Sequence, residues 1–261
     1  MTEPPEEARA LARFYDVDLL DDPGDLDLYL ALAARTGGPI LELGVGSGRL
    51  AVELAAAGHP VTGVDLDAAM LERARARAET RGPAVAGRLR LVEADVLDAS
   101  LPGAGSFQLA FIALNTLFLL ATRERQRAAV ASLAANLAAG GLAIVDVWLP
   151  DPDDLARFDG RLILEYDRAD PETGRRVTKI ASARHDPAFG VVDLISIFDE
   201  SETGGPVRRW IRRDALRLVA ADELAALAED AGLVVEQLAG SYDLEPLAPG
   251  SERAILVARK P

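Results

Sequence analysis

The 261-residue sequence predicts an α/β fold: a doubly wound, mostly parallel sheet of about seven strands, with an antiparallel β insertion before the last helix and strands. Three observations predict it. Short apolar runs alternate with longer helical patterns between Ile40 and Val147, as expected of parallel strands joined by crossover helices. A glycine-rich turn, Gly44 to Gly48, follows the first of these runs directly. From Leu155 the rhythm changes to longer alternating runs divided by turn residues, the pattern of consecutive hairpins.

The stretch from Pro4 to about Leu20 mixes Ala, Glu, Leu and Arg with Phe14-Tyr15, which suits a short amphipathic helix ending near Asp16. After the acidic turn Asp21-Asp22-Pro23-Gly24-Asp25, a second helix covers Asp25 to Arg35. Gly37-Gly38-Pro39 leads into Ile40-Leu41-Glu42-Leu43, a short run that reads as a strand buried on both faces. Helices are expected at Arg49–Ala57, Ala68–Thr80 and Arg123–Ala138, and strands at Val61–Val64, Leu89–Val92, Leu109–Ala113 and Leu142–Val147. Antiparallel strands follow at Arg161–Arg168, Arg176–Arg184, Val191–Phe198 and Val207–Leu218, separated by the turns Asp170–Gly174, Asp186–Gly190 and Glu202–Pro206. A last helix, Asp222–Ala231, ends at Gly232, and Leu233–Leu238 and Ala254–Ala258 rejoin the core sheet. The expected division is a core of residues 1–154 and 216–261, including the N-terminal helices, around an insertion at 155–215.

Composition narrows the function. A hydrophobic content of 49% can supply a core, yet no stretch approaches the roughly 18 consecutive apolar residues of a membrane span. A soluble protein with no membrane partner is expected. The acidic start, Met1-Thr2-Glu3-Pro4-Pro5-Glu6-Glu7, lacks the basic and then apolar pattern of a secretory signal, so a cytoplasmic location is expected. The chain has no cysteine, which removes disulfides, thiolate metal sites and cysteine nucleophiles. The formal net charge of -14 sets an unfavourable field for a polyanion, so nucleic acid is not an expected partner. The one basic run, Arg208-Arg209-Trp210-Ile211-Arg212-Arg213, reads as a strand with an exposed basic face. Two histidines so far apart as His59 and His185 give no metal-ligand pattern, and no metal is expected.

The informative segment is Glu42-Leu43-Gly44-Val45-Gly46-Ser47-Gly48-Arg49. Alternate glycines remove side chains where a ligand must approach the backbone, and the helix that follows offers free N–H groups. Asp65, at the end of the second strand, stands where Rossmann-like logic places a ribose ligand. The spacing Gly44-x-Gly46-x-Gly48 departs from the G-x-G-x-x-G fingerprint of pyrophosphate cofactors. The segment resembles the first motif, E-x-G-x-G-x-G, of the class I S-adenosylmethionine-dependent methyltransferases. The resemblance continues in order over about residues 38–148. Val64-Asp65-Leu66-Asp67-Ala68-Ala69-Met70-Leu71 looks like the family's ribose and adenine segment, Asp95-Val96 like its adenine-binding pair, and Leu114-Asn115-Thr116-Leu117 like the segment facing the methionine portion and the reaction site. Gly140-Gly141-Leu142 fits the approach to the fifth strand.

The resemblance implies S-adenosylmethionine as cofactor, with Tyr15, Glu42, Gly44, Gly46, Gly48, Asp65, Leu66, Met70, Asp95, Val96 and Leu114 around it. Tyr15 resembles the tyrosine that small-molecule members place near the cofactor's carboxylate; Arg35 is an alternative partner for that group or a surface residue. It implies methyl transfer to an oxygen or nitrogen of a small-molecule acceptor by in-line displacement. Asn115 and Tyr242, at carboxyl ends of core strands, and His185, in the insertion, are the candidates to border that acceptor; His59 sits at the wrong end of its strand. Leu114-Asn115-Thr116-Leu117 is not the N/D-P-P-Y/F signature of nucleic-acid amino methyltransferases. The insertion resembles the added sheet of small-molecule members, including sugar N-methyltransferases, and either covers the substrate or pairs two subunits as a homodimer. The alternatives are a non-catalytic S-adenosylmethionine-binding protein and an NAD-dependent oxidoreductase, which shares the strand, glycine turn and acidic ribose ligand.

Overall fold

The computed structural model describes residues 4–98, 101–202 and 205–261. In chain order the elements are α1 (Glu6–Asp18), α2 (Leu26–Thr36), β1 (Ile40–Leu43), α3 (Arg49–Ala56), β2 (Val61–Asp65), α4 (Ala68–Arg81), α5 (Pro83–Ala86) and β3 (Leu89–Glu93). There follow β4 (Phe107–Ile112), a 3-10 helix (Thr116–Leu120), α6 (Arg123–Asn136), β5 (Leu137–Trp148) and α7 (Pro152–Arg157). The chain then runs through β6 (Ile163–Ala169), β7 (Arg176–Asp186), β8 (Val191–Ser201), β9 (Val207–Arg217), α8 (Ala221–Asp230), β10 (Val234–Ala239) and β11 (Arg253–Arg259). Thr203 and Gly204, within the third expected hairpin turn, and Met1–Glu3 of the acidic start lie outside the described residues.

The first sheet has seven strands in the order β10-β11-β5-β4-β1-β2-β3. Strands β1 to β5 are parallel, while β11 runs antiparallel to both β5 and β10. The mixed α/β sheet expected from the sequence is thus present. All four residues of β1 are buried, as an interior strand of a parallel sheet requires. The chain leaves β1 toward β2 and β3, then returns to β4 on the other side. The strand order reverses between β1 and β4, and the carboxyl ends of strands at such a reversal are the usual ligand position in open α/β sheets. Helix α6 stops two residues before its expected end. Leu137 pairs with Phe107 and Leu142 with Leu109, so a register shift carries the intervening residues, Gly140 and Gly141 among them, inside an irregular start to β5.

Contacts divide the chain into two units, one made of the described residues up to Asp22 with Pro150–Leu218, the other of Pro23–Leu149 with Val219–Pro261. The sequence grouped the N-terminal segment with the core; by contacts α1 goes with the antiparallel sheet β6-β7-β8-β9. The reason is chemical. Phe14 of α1 stacks on Phe198 of β8 at 4.9 Å between ring centroids. Arg13 is shared by two buried carboxylates, pairing with Asp170 and, at 2.5 Å, with Glu200. Asp18 accepts from the Tyr166 hydroxyl at 2.6 Å and meets Lys179 at 3.0 Å. The basic run on β9 is discharged locally, with Arg208 on Glu6 and Arg209 on Asp199, both at 2.7 Å.

Asp170 and Glu200 are 1% and 2% exposed; Arg175 also reaches Glu200, at 3.7 Å, so deleting Arg13 strands chiefly the Asp170 charge, which among the described residues keeps only the Glu172 N–H and the Thr173 hydroxyl. Arg13→Ala should cost about 3–5 kcal/mol of unfolding free energy. Chemical denaturation followed by circular dichroism checks this, and a loss below about 1 kcal/mol would show that the two carboxylates do not depend on Arg13.

Candidate active site

The turn after β1 is shaped by three glycines in the left-handed region, with φ of 78° at Gly44, 53° at Gly46 and 78° at Gly48. Two of them also sit where a side chain would collide. A Cβ on Gly44 would come within 2.4 Å of Thr116 Cγ2, and one on Gly48 within 2.9 Å of Ala74 Cβ. The turn is held from below: the N–H groups of Gly44 and Val45 both donate to the Val64 carbonyl, at 2.8 and 2.9 Å. Asp65 holds it from the side, one carboxylate oxygen accepting from Gly46 N–H at 2.8 Å and the other from Asp67 N–H at 2.9 Å. Burial pushes the Asp65 carboxyl above its ordinary range, opposed by those backbone donors.

Several other residues that the sequence singled out follow β2, β3 and β4. Leu66, beside Asp65, is 67% exposed, an apolar side chain left open to solvent at the strand end. Met70 is buried on α4. Asp95 closes a tight turn by accepting from Leu97 N–H at 3.1 Å, with Arg125 at 3.4 Å, and Val96 beside it is half-buried. Leu114 and Asn115 both adopt positive φ, 46° and 66°, which turns the chain sharply after β4. That strained pair is pinned to β5: Asn115 N–H donates to the Asp146 carbonyl at 3.2 Å, and the Asn115 side-chain oxygen accepts from Trp148 N–H at 2.5 Å.

Beneath the turns lies a layer of buried polar groups. Asp25, fully buried at the start of α2, takes both guanidinium nitrogens of Arg49, at 2.5 and 2.6 Å. Asp146, fully buried in β5, accepts from Arg253 at 2.5 Å, from the Tyr242 hydroxyl at 3.0 Å and from Leu114 N–H at 3.3 Å. The Arg253 guanidinium lies over the Tyr242 ring, 4.2 Å from its centroid. Burial, reinforced by the negative field of Asp146, raises the Tyr242 hydroxyl above its ordinary range. Glu42 differs from the two aspartates: it is 4% exposed, and its Oε2 meets no hydrogen-bond donor. Burial raises its carboxyl to about 8, against the pull of Arg49 and of the Ala51 backbone in the first turn of α3. Tyr29, whose ring lies tilted against that of Phe111 at 4.4 Å between centroids, also buries its hydroxyl without a partner. Burial raises it first, then the fields of Asp146, Asp25, Tyr242 and Glu42, which surround it.

Strand ends therefore bring together Glu42, the three glycines, Asp65, Leu114, Asn115 and Tyr242. Tyr15, in the last turn of α1, and His185, in β7 with its N–H on the Phe158 carbonyl, belong to the first unit. Arg35 is exposed in the last turn of α2, and His59 precedes β2 at the amino-terminal edge. Sequence reasoning missed Asp146, Arg253, Tyr29 and the Asp25–Arg49 pair. One signal was available: Asp146 is a charge inside the otherwise apolar run Leu142–Val147.

The family described as a methyltransferase domain matches residues 40–141, the stretch that carries the glycine turn, Asp65, Asp95 and Asn115. Residues 40–141 are a methyltransferase domain. Solved structures of similar fold span the whole chain around it. The CcbJ methyltransferase of Streptomyces caelestis is 23% identical, with 99% of this chain and 97% of that one covered and a TM-score of 0.70. The sugar N-methyltransferase KedS8 of a Streptoalloteichus species is 21% identical, covering 100% and 95% at a TM-score of 0.73. The amino pentose methyltransferase CalS10 of Micromonospora echinaspora, whose structure holds S-adenosylmethionine, is 22% identical, covering 100% of both chains at 0.68. No curated protein sequence matches the chain. The methyltransferase domain thus sits in a chain that shares its fold, from end to end, with small-molecule methyltransferases.

The Glu42 carboxyl gives a signed prediction. Its folded value of about 8 lies above its ordinary 4.5, so between those limits the unfolded chain ionises while the folded protein keeps the proton, and stability falls as pH rises. Glu42→Gln removes that dependence. Its melting temperature should therefore gain on the parent's as pH goes from about 5 to 8; parallel curves would show a Glu42 that ionises normally.

Proposed function

We propose that the chain transfers a methyl group from S-adenosylmethionine to a nitrogen of a small amine-bearing acceptor, an amino sugar being the class that fits best. The observation that carries the reading is the turn from Gly44 to Gly48 in the left-handed region, tied to Asp65 inside the methyltransferase domain. The cofactor, when bound, supplies an electrophilic methyl on a sulfonium sulfur. The turn from Gly44 to Gly48, packed down on Thr116 and Ala74, presents its backbone to the sugar and methionine parts, and the Asp65 carboxylate takes the ribose hydroxyls. Leu66, Met70, Asp95 and Val96 border the adenine, and Leu114 and Glu42 the methionine end. The residues fit such a group: the orphaned Glu42 oxygen needs a donor and the orphaned Tyr29 hydroxyl a partner, both of which a zwitterionic amino acid moiety offers.

Asn115 and Tyr242 border the acceptor. A nitrogen is favoured over an oxygen because, among the described residues, the strand ends hold no ready base. Asp146 is committed to Arg253, Tyr242 and Leu114, and His59 lies at the opposite edge. A neutral amine attacks without a base, whereas a hydroxyl needs one. Two fold relatives, an amino pentose methyltransferase and a sugar N-methyltransferase, point the same way. Neither a nucleic acid nor a membrane is a partner in this reading. The net charge of -14 opposes the first, and no helix among the described residues is long and apolar enough to cross the second. The place of action in this reading is the cytoplasm.

The antiparallel sheet pairs two copies of the chain in the same proposal. Its edge strand β6 presents Ile163 and Leu164 at 53% and 62% exposure, with Leu162 just before it at 65%. An open edge flanked by apolar side chains favours a covering partner. Leu164→Lys should shift sedimentation from dimer toward monomer; a monomeric parent would end the idea.

The deciding experiment is calorimetric titration with S-adenosylmethionine, S-adenosylhomocysteine and NAD. The first two should saturate the site and NAD should not bind. Asp65→Ala should weaken both by about 10- to 100-fold, the effect of a lost charged hydrogen bond. Binding of NAD alone would return the fold to the oxidoreductases, and binding of cofactor with no turnover on any amine would favour a non-catalytic binder.

A further inference from the structure

The buried polar layer is one cation short. Asp25 has Arg49, and Asp146 has Arg253. Glu42 is buried too, at 4% exposure, but its Oε2 meets no donor. A naked carboxylate in that position is far costlier than a neutral carboxylic acid, which keeps its proton and asks only for a hydrogen-bond partner. Charged and titratable groups face Glu42 from the neighbouring elements. Arg49 on α3 draws it toward ionisation, as does the Ala51 backbone; Asp25 on α2 and Asp65 at the end of β2 oppose, and Tyr29 on α2 brings a neutral hydroxyl. Arg49 is already engaged on both nitrogens by Asp25, so its help is divided.

We propose that Glu42 is a neutral acid in the ligand-free protein, and that entry of an ammonium-bearing ligand expels its proton to solvent. One cation replaces another: the Glu42 O–H bond breaks, the proton passes to buffer, and the ligand's ammonium donates to the freed carboxylate. This rests on the cofactor assignment above and adds to it a charge requirement. The site selects a ligand that carries a positive amino group into the layer. Binding is therefore coupled to pH, tightening as pH rises toward the value near 8 at which Glu42 loses its proton unaided.

Calorimetry in phosphate and in Tris, buffers of different ionisation heat, counts the protons. With S-adenosylmethionine or S-adenosylhomocysteine at about pH 7, the enthalpy difference should report close to one proton released per molecule bound, and affinity should rise almost tenfold between about pH 6 and 7. Methylthioadenosine, which lacks the amino group, should bind with no release. Glu42→Gln, checked for folding by circular dichroism, should bind the cofactor more weakly, with buffer-independent heat and a flat pH profile. Should that variant fail to fold, the methylthioadenosine comparison on the parent protein decides alone. Cofactor binding with identical heat in both buffers, or equal release with methylthioadenosine, would overturn the proton exchange and leave the cofactor assignment standing. No binding of S-adenosylmethionine at any pH would instead overturn the assignment.

Discussion

The carboxylate of Asp65 joins the ends of two neighbouring strands. One oxygen takes the N–H of Gly46, in the turn after β1, and the other caps its own turn at Asp67. Without a fixed acceptor at that point, a segment with three left-handed glycines would be free to sample many conformations, since glycine loses the most backbone freedom on ordering. The Asp65 contact and the Val64 carbonyl together remove that freedom. The rest of the site depends on it: Gly44 then sits flush against Thr116, which sets how closely the turn after β1 approaches the turn after β4. Any side chain at Gly44 would push those two turns apart where the sheet reverses.

The same logic explains how much was legible in advance. Turns that require glycine advertise themselves, because the backbone geometry and the residue type are linked at single positions. Asp65 was legible because its distance from the glycine turn is set by one strand, one helix and their short connections. Asp146 and Arg253 were not. Their contact spans 107 residues and exists only because β11 lies antiparallel on β5 in a register that places Arg253 opposite Trp148. Nothing local in either segment specifies that register. The early start of β5 escaped for a related reason, because its first residues pair across an irregularity instead of following an apolar pattern.

Helix α1 shows the limit from the other direction. Its amphipathic pattern was readable, but not the sheet to which that pattern answers. Phe14, Arg13 and Asp18 look like one face of any short helix until Phe198, Asp170, Glu200 and Lys179 supply the partners. The two buried carboxylates that share Arg13 make this docking specific, since an apolar helix face alone would tolerate several positions and a stranded charge tolerates few.

That docking has a consequence for how the polypeptide is made. Arg13 waits for partners 157 and 187 residues further along the chain. At roughly 5–20 residues per second of synthesis, the first helix spends about ten seconds or more outside the ribosome before its sheet exists. During that interval Phe14 and its apolar neighbours have no lasting place to bury. The apolar face of the helix stays uncovered through that interval, and the last strands of the antiparallel sheet, not the helix itself, set the moment at which it is buried.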